Sequence, residues 1–599
     1  MAEKFISQRN LNFLLYEVLD IETLSQYPYF EDHGRETYEM LIDTSIQMAK
    51  DIMHPAFVEM DQIPPEFKDG EIKVHRAVKD YLRELGRGGW IAAGFPFDNE
   101  GQQFPTTLVY INFFIASAAN FSLAAYSGLT SAASHLILEY GSDELKETYL
   151  PKMLTGEWQG TMAMTEPSTG SSISDITASG VANDGKGYLI KGQKIFISGG
   201  DHDAVDNNIH MMLARIKGAP AGKKGVSLFL VPKKRLGDNG ELESNDVTCI
   251  GTYHKLGYRG CPIAQLSMGD NHNCRGYLIG EPGRGLEYMF KMINEVRLGI
   301  GIQATACATA AYYDALEYAR ERSQGRSIKD KSPENPQVPL IEHADVKRMF
   351  LFQKSVAEGS LSLALYTAKL TDLARVTEGE EQENYMLLLD LLIPIVKSYP
   401  AEAGILSTSQ AIQCLGGYGF CDEFPVEQHF RNSRIHPIHG GTTGIQGIDL
   451  LGRKIMMNNG KAWSLFLDEV KKASEEAENF EELQAHAKDL TLALRQLRDV
   501  TSHLLKLSGQ KDVFLANATL YLEMFGIVSI AWQWLIQGTA AQKGLADTSS
   551  ETETLFYQGK IYSLRYFFKY ELPKIEGLAI TLKRDDRLTL EISKDHFVE

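Results

Sequence analysis

The order of local textures along the chain limits the fold more than any single motif does. From Tyr38 to Leu154, apolar residues recur at helical spacing, as in YEMLIDTSIQMAKDIM and VHRAVKDYLRELG. From Gly160 to about Gly280 the pattern breaks into short strand-like runs, among them YLIKGQKIFIS, IHMMLARI and GVSLFLVP. Turn signals at Asn183-Asp184-Gly185 and Asp238-Asn239-Gly240 part these runs. After Gly285 the chain turns helical again, and LEYMFKMINEVRLGIGIQATACATAAYYDALEYARERS reads as one long amphipathic helix. Gly416-Gly417 and Gly440-Gly441 interrupt the later helices, and a further helical block follows Lys454. The order is helical, all-β, helical, then extra helical. Alternating βαβ units and a G-x-G-x-x-G turn are both missing, which removes support for a Rossmann nucleotide site.

The chain has 599 residues, enough for several domains with ample core. Lys and Arg number 60 against 78 Asp and Glu, and the resulting charge of −18 argues against general phosphate-backbone binding. The six cysteines form no C-x-x-C pair, which suits a reducing compartment and argues against a zinc ribbon or a disulfide scaffold. The N-terminus, MAEKFISQRNLNFLLYEVLD, is charged throughout and lacks a signal-peptide core. We expect a cytoplasmic protein. Gly101 to Leu138 carries no charge and is long enough to span a bilayer. Asn112, Ser117, Asn120, Ser122 and Ser127 recur through it, so the expectation is one or two buried helices and no membrane span. Trp532 and Trp534 lie in another apolar run and point to burial there too.

Five segments carry a family resemblance: MAMTEPSTGSS (Met162–Ser172), KGQKIFISGG (Lys191–Gly200), ARERSQGR (Ala319–Arg326), QAIQCLGGYGF (Gln410–Phe420) and GGTTGIQGIDLLGRK (Gly440–Lys454). In this order and spacing they resemble the acyl-CoA dehydrogenase family of flavoproteins. The extended N-terminus, the C-terminal block and the ER-x-QGR form resemble its larger bacterial subgroup, which includes 3-methylthiopropanoyl-CoA dehydrogenases. The resemblance implies a mainly α protein with a central β-barrel. Its expected parts are an N-terminal extension (1–37), a helical domain (38–159), a β-barrel (160–284), a four-helix bundle (285–458) and a C-terminal helical extension (459–599). One fold hosts many substrates, so subgroup membership says little about the acyl chain.

The resemblance further implies FAD as cofactor and an acyl-CoA as substrate. Met164, Thr165, Ser171, Phe196, Ser198 and Thr442 match flavin-proximal positions, with Ser171 also beside the thioester. Arg322 and Gln324 match positions that reach FAD phosphates across a subunit interface, which implies at least a homodimer. Gln413, Gly416 and Gly417 match the adenosine-binding segment, where glycine allows close backbone approach. Electrons would pass to electron-transferring flavoprotein. No metal site and no nucleic-acid partner are expected.

One departure bears on the chemistry. Where many family members carry a catalytic glutamate in I-Y-E-G-T, this chain has Ile438-His439-Gly440-Gly441-Thr442. Glycine cannot take the α-proton, although the Gly440 N–H still matches a donor to the thioester carbonyl. Three readings follow. The base has moved to Glu295, in Asn294-Glu295-Val296-Arg297, two residues before Arg297 instead of one, a shift of roughly 100° on a helix. Alternatively the chemistry is a base-free, desulfinase-like elimination, or the chain is catalytically silent. His436 and His439 are expected to be structural or pocket-lining, with Arg297 and His439 toward substrate. An acyl-CoA oxidase, or a DNA-associated member of the fold, stays open as an alternative. The reading carried forward is dehydrogenation with Glu295 as base.

Overall fold

The computed structural model describes residues 2–183, 185–237, 239–329, 331–584 and 587–598, with the side chain of Lys291 left aside. Asp184 and Asp238, each part of an expected turn, lie outside the described residues. The chain forms two compact units, one of residues 36–104 and 112–299, the other of 1–35, 105–111 and 300–599.

The first unit holds the strands. Within the expected helical region there is a small hairpin of β1 (Glu66–Lys68) and β2 (Glu71–Lys73), turned at Asp69-Gly70, both at positive φ. The main sheet contains β3 (Trp158–Ala163), β4 (Ser179–Ala182), β5 (Tyr188–Ser198), β6 (Asn207–Ile216) and β7 (Val226–Pro232). A second hairpin, β8 (Lys234–Leu236) with β9 (Leu242–Ser244), precedes β10 (Val247–Thr252), β11 (Ile263–Met268) and β12 (Arg275–Ile279). Pairing runs β5 to β12, β7, β6, β4 and back to β5, which closes a barrel. Inward residues such as Ile190, Met212, Phe229 and Leu266 fill it with apolar packing. β3 adds on β6 in parallel, and β11 with β10 extends the far half of β5.

The charge-free stretch forms two helices, Thr106–Ala119 and Phe121–Tyr140. Asn120 parts them: its side chain accepts from Leu123 N at 3.2 Å as an N-cap and donates to Met53 O at 3.1 Å. Thr130 Oγ1 likewise donates to Tyr126 O at 3.0 Å, and most of the stretch is buried, so it is core, as expected. The second of these helices lies so close to β3 that a Cβ on Gly160 would meet the Ala133 methyl at 2.7 Å.

The second unit is helical. Ala344–Val376 and Gly379–Leu415 pack as a long antiparallel pair beside the residues of Gly285–Glu321 from 300 onward. The C-terminal block packs on this bundle through Ala518–Asp547. Trp532 and Trp534 are fully buried, and Trp534 Nε1 donates to Ser355 O at 3.0 Å, where Gly359 leaves room for the indole. That helix is long and apolar enough to cross a membrane, yet 78% of its most apolar window is buried inside the protein. It is a core helix. The N-terminal segment lies against the same block, with Arg9 bonded to Glu553 at 2.6 Å and Phe13 packed edge-on to Phe556.

Candidate active site

In the barrel unit, the TEPSTGSS loop leaves β3 and turns on Glu166, whose N–H and C=O both bond Thr169. The Glu166 carboxylate accepts from Thr177 N at 2.6 Å, Thr177 Oγ1 at 2.8 Å and Ala178 N at 3.0 Å, and meets Lys194 Nζ at 2.9 Å. Both partners are buried. Burial opposes ionisation of Glu166, but Lys194 and the two amides outweigh it and hold the carboxyl below its ordinary range. Burial also pulls Lys194 down to about 8, against the attraction of Glu166. Lys194 donates a second bond to Met164 O at 3.0 Å, and Thr165 O accepts from Ile195 N at 2.9 Å. Met164 and Thr165 are thus pinned by their backbones to β5, with half-buried side chains, while Ser171 stands exposed.

β5 carries a bulge opposite β11: Ile197 pairs Ala264 and Lys194 pairs Leu266, leaving Ile195 and Phe196 across from Gln265 alone. Phe196 takes up the extra length at φ +59°, a left-handed conformation that costs a bulky residue roughly 1–2 kcal/mol. Its ring is 56% exposed and stacks on Tyr253 with centroids 4.7 Å apart. A strained, solvent-facing aromatic plate is where functional sites store backbone strain. Ser198, two residues on, is half-buried.

Glu295 and Arg297 face different ways, as two positions on a helix must. Arg297 is buried, whereas Glu295 is half-exposed and meets His135 Nδ1 at 3.0 Å. His135 comes from Phe121–Tyr140, packs on Phe95 and places its other nitrogen 3.7 Å from Glu139.

In the helical unit, His436 and His439 bond each other, Nδ1 to Nε2, at 3.3 Å, and Lys397 Nζ donates to His436 O at 2.8 Å. Burial, with the lysine charge adding to it, drives His439 down to about 3 and His436 well below its ordinary value. Both imidazoles are neutral at pH 7. Gly440 follows at φ +64°, and a Cβ there would sit 2.2 Å from Ile300 Cδ1. Gln446 Nε2 donates to Gly440 O at 3.2 Å, and Thr442 Oγ1 caps helix Thr443–Gly452 by accepting from Ile445 N.

Arg322 and Gln324 are exposed just past the end of Gly285–Glu321, with their backbones bonded to Leu340 N and Val338 O. Gln413 and Gly416-Gly417 are exposed too, Gly416 at φ +59° with no atom within 4 Å of where a Cβ would point. Tyr318 packs edge-on to Tyr418 and Phe424, so these two segments share one end of the bundle. There the Phe420 ring is 89% exposed.

The tertiary structure therefore joins Met164, Thr165 and Phe196 at one site, and His439, Gly440 and Thr442 at another. Sequence reasoning missed the Glu166–Lys194 pair, although both residues lie inside segments it singled out. It also missed Tyr253, His135 and Ile300, whose roles depend on contacts with distant parts of the chain.

Comparison with known proteins places this architecture. Family models for the acyl-CoA dehydrogenase N-terminal, middle and C-terminal domains match residues 35–157, 161–270 and 283–455, and an acetyl-CoA dehydrogenase C-terminal-like model matches 466–593. The chain belongs to the acyl-CoA dehydrogenase family, whose members are flavoprotein oxidoreductases acting on CH–CH bonds. It is 32% identical over 619 residues to a butyryl-CoA dehydrogenase of Syntrophomonas wolfei, covering 100% of both chains. It is 33% identical over 585 residues to the 3-methylmercaptopropionyl-CoA dehydrogenase of Ruegeria pomeroyi, covering 96% of this chain and 98% of that one. The fold also matches an acyl-CoA dehydrogenase complexed with FAD from Bacillus anthracis, with a TM-score of 0.72, 20% identity, and 97% and 93% of the two chains covered.

Proposed function

We propose that the protein oxidises an acyl-CoA thioester to its 2,3-enoyl form and passes the electrons to electron-transferring flavoprotein in the cytoplasm. The observation that carries this reading is Phe196: an exposed aromatic plate, stacked on Tyr253 and held in strained backbone beside the Met164–Thr165 segment. The residues fit FAD. Phe196 and Tyr253 suit a flat ring system, the hydroxyls of Thr165, Ser171, Ser198 and Thr442 suit its polar edge, and Arg322 with Gln324 suits phosphate. Gly416 and Gly417 leave open space for adenosine alongside Gln413. FAD, when bound, supplies the acceptor for the β-hydrogen and its electron pair.

The chain's own residues supply the rest. The Gly440 N–H polarises the thioester carbonyl, which acidifies the α-position, and His439 and Arg297 line the substrate side. Glu295 takes the α-proton, and its bond to His135 orients the carboxylate and shares the charge. Ile300 fills the space a side chain at 440 would need, which supports a base placed elsewhere. The exposed end carrying Arg322, Tyr418 and Phe420 serves as the face for a second copy, so the working form is at least a dimer.

The test is anaerobic mixing of FAD-loaded protein with short, branched, cyclic and sulfur-containing acyl-CoAs, following the oxidised flavin band. Bleaching by one class, lost in Glu295→Gln with ligand binding retained, is expected. Ligand-induced spectral shifts with no bleaching by any member would overturn dehydrogenation in favour of base-free elimination or a silent protein. Oxygen uptake in place of transfer to electron-transferring flavoprotein would make it an oxidase.

A further inference from the structure

The C-terminal extension carries an open pocket of about 460 Å³, lined mainly by apolar and aromatic surface with a few charged groups at its rim, in the size range of small-molecule sites. One wall is the end of helix Glu551–Tyr566, where Tyr562, Tyr566 and Tyr570 recur every four residues and Arg565 and Lys569 alternate with them. The helix widens to a π-turn at Phe567–Glu571, a local device frequent at binding sites. That turn brings the Tyr566 and Tyr570 rings into a stack 4.9 Å apart. Tyr562 and Tyr570 remain 58% and 46% exposed.

Arg565 lies 5.6 Å from the Tyr562 ring centre and Lys569 5.3 Å from that of Tyr570. Neither cation forms an ion pair among the described residues. The opposite wall, on Gln484–Lys506, offers two polar groups of a different kind: the Asp489 carboxylate, and His486, whose Nδ1 is buried without a hydrogen-bond partner.

We propose that this pocket binds an adenine nucleotide diphosphate, either free or as the nucleotide end of coenzyme A. Exposed tyrosine faces stack a base regardless of its edge pattern. Arg565 and Lys569 hold the diphosphate, Arg through its fork and Lys as a point charge. Asp489 accepts from a ribose hydroxyl or an exocyclic amine, groups that inorganic anions lack. The combination of flat rings, two uncompensated cations and one acceptor selects a nucleotide over a simple anion or an apolar ligand.

Calorimetric titration of the full-length, FAD-loaded protein tests this, with flavin absorbance followed to show that FAD stays bound. One ADP per chain is expected at a Kd of about 100 µM or below, weakened roughly tenfold or more in Arg565→Ala/Lys569→Ala and in Tyr562→Ala. These variants are to keep their flavin and their turnover. A CoA titration with one class of site lost in the double variant identifies CoA as the source, whereas ADP binding alone identifies free nucleotide. Absence of ADP binding at 1 mM, equal affinity for inorganic diphosphate, or unchanged affinity in the variants would each overturn the proposal.

Discussion

Lys194 Nζ and Glu166 Oε1 meet at 2.9 Å inside the barrel unit, with the lysine side chain fully buried and the glutamate 2% exposed. This pair ties β5 to the loop that follows β3, and through Met164 O it sets the path of the Met164–Thr165 segment. Removing one partner leaves an uncompensated buried charge. Lys194→Met is expected to cost about 3–5 kcal/mol by urea unfolding, and surviving protein should retain less FAD. A loss below about 1 kcal/mol would mean that water or another cation compensates Glu166.

A change at Phe196 tests stability and cofactor binding separately. Phe196→Gly relieves the positive φ but removes a ring and its stacking on Tyr253, two effects of about 1 kcal/mol each and opposite sign. Apoprotein stability should change by less than about 1 kcal/mol, while FAD affinity falls at least roughly tenfold. Comparing apoprotein unfolding with FAD titration checks this; unchanged affinity would detach Phe196 from the cofactor.

Gly440 is held by conformation and by space. Gly440→Ala meets both the left-handed backbone and Ile300 Cδ1, so a loss of about 1–3 kcal/mol is expected. Ile300→Val in the same chain should return part of it, and a double-mutant cycle reads the coupling. Additive losses would mean the two sites do not meet.

The imidazole of His439 ionises near 6.5 when unfolded and at about 3 in the native protein. Between those values the unfolded state binds the extra proton, so stability is complete above pH 6.5 and is lost as pH falls below it. The slope is up to about 1.4 kcal/mol per pH unit. His439→Gln should flatten the acid limb of the stability curve relative to wild type. Parallel curves would show that the native imidazole accepts its proton without penalty.

Lys560 sits fully buried between Glu358, at 2.8 Å, and Gln537, with Asn10 of the N-terminal segment also bonded to it. Glu358 keeps Lys354 as a second partner, so Lys560→Met is expected to cost about 2–3 kcal/mol through its lost buried charged bonds, whereas Arg9→Ala, whose pair with Glu553 is about one-third exposed, should cost about 1 kcal/mol or less. Urea midpoints distinguish the two, and equal losses would contradict the burial argument.

The sequence by itself determined the helical, β, helical, helical order, the burial of the charge-free stretch and of Trp532 and Trp534, and the segments that mark the family. These are local properties: periodicity reports which face of an element is apolar, and a motif reports a neighbouring run of backbone. It also exposed the missing glutamate at 440, since that is a matter of residue identity. The tertiary structure alone decided that Glu295 meets His135, 160 positions away, that the bulge at Phe196 faces Gln265, and that Ile300 occupies the space beside Gly440. Such contacts depend on how strands register and helices rotate against one another. Burial then decides their energy: the same lysine and glutamate that would be worth little on a surface become, at Lys194 and Glu166, a pair the fold cannot lose one half of.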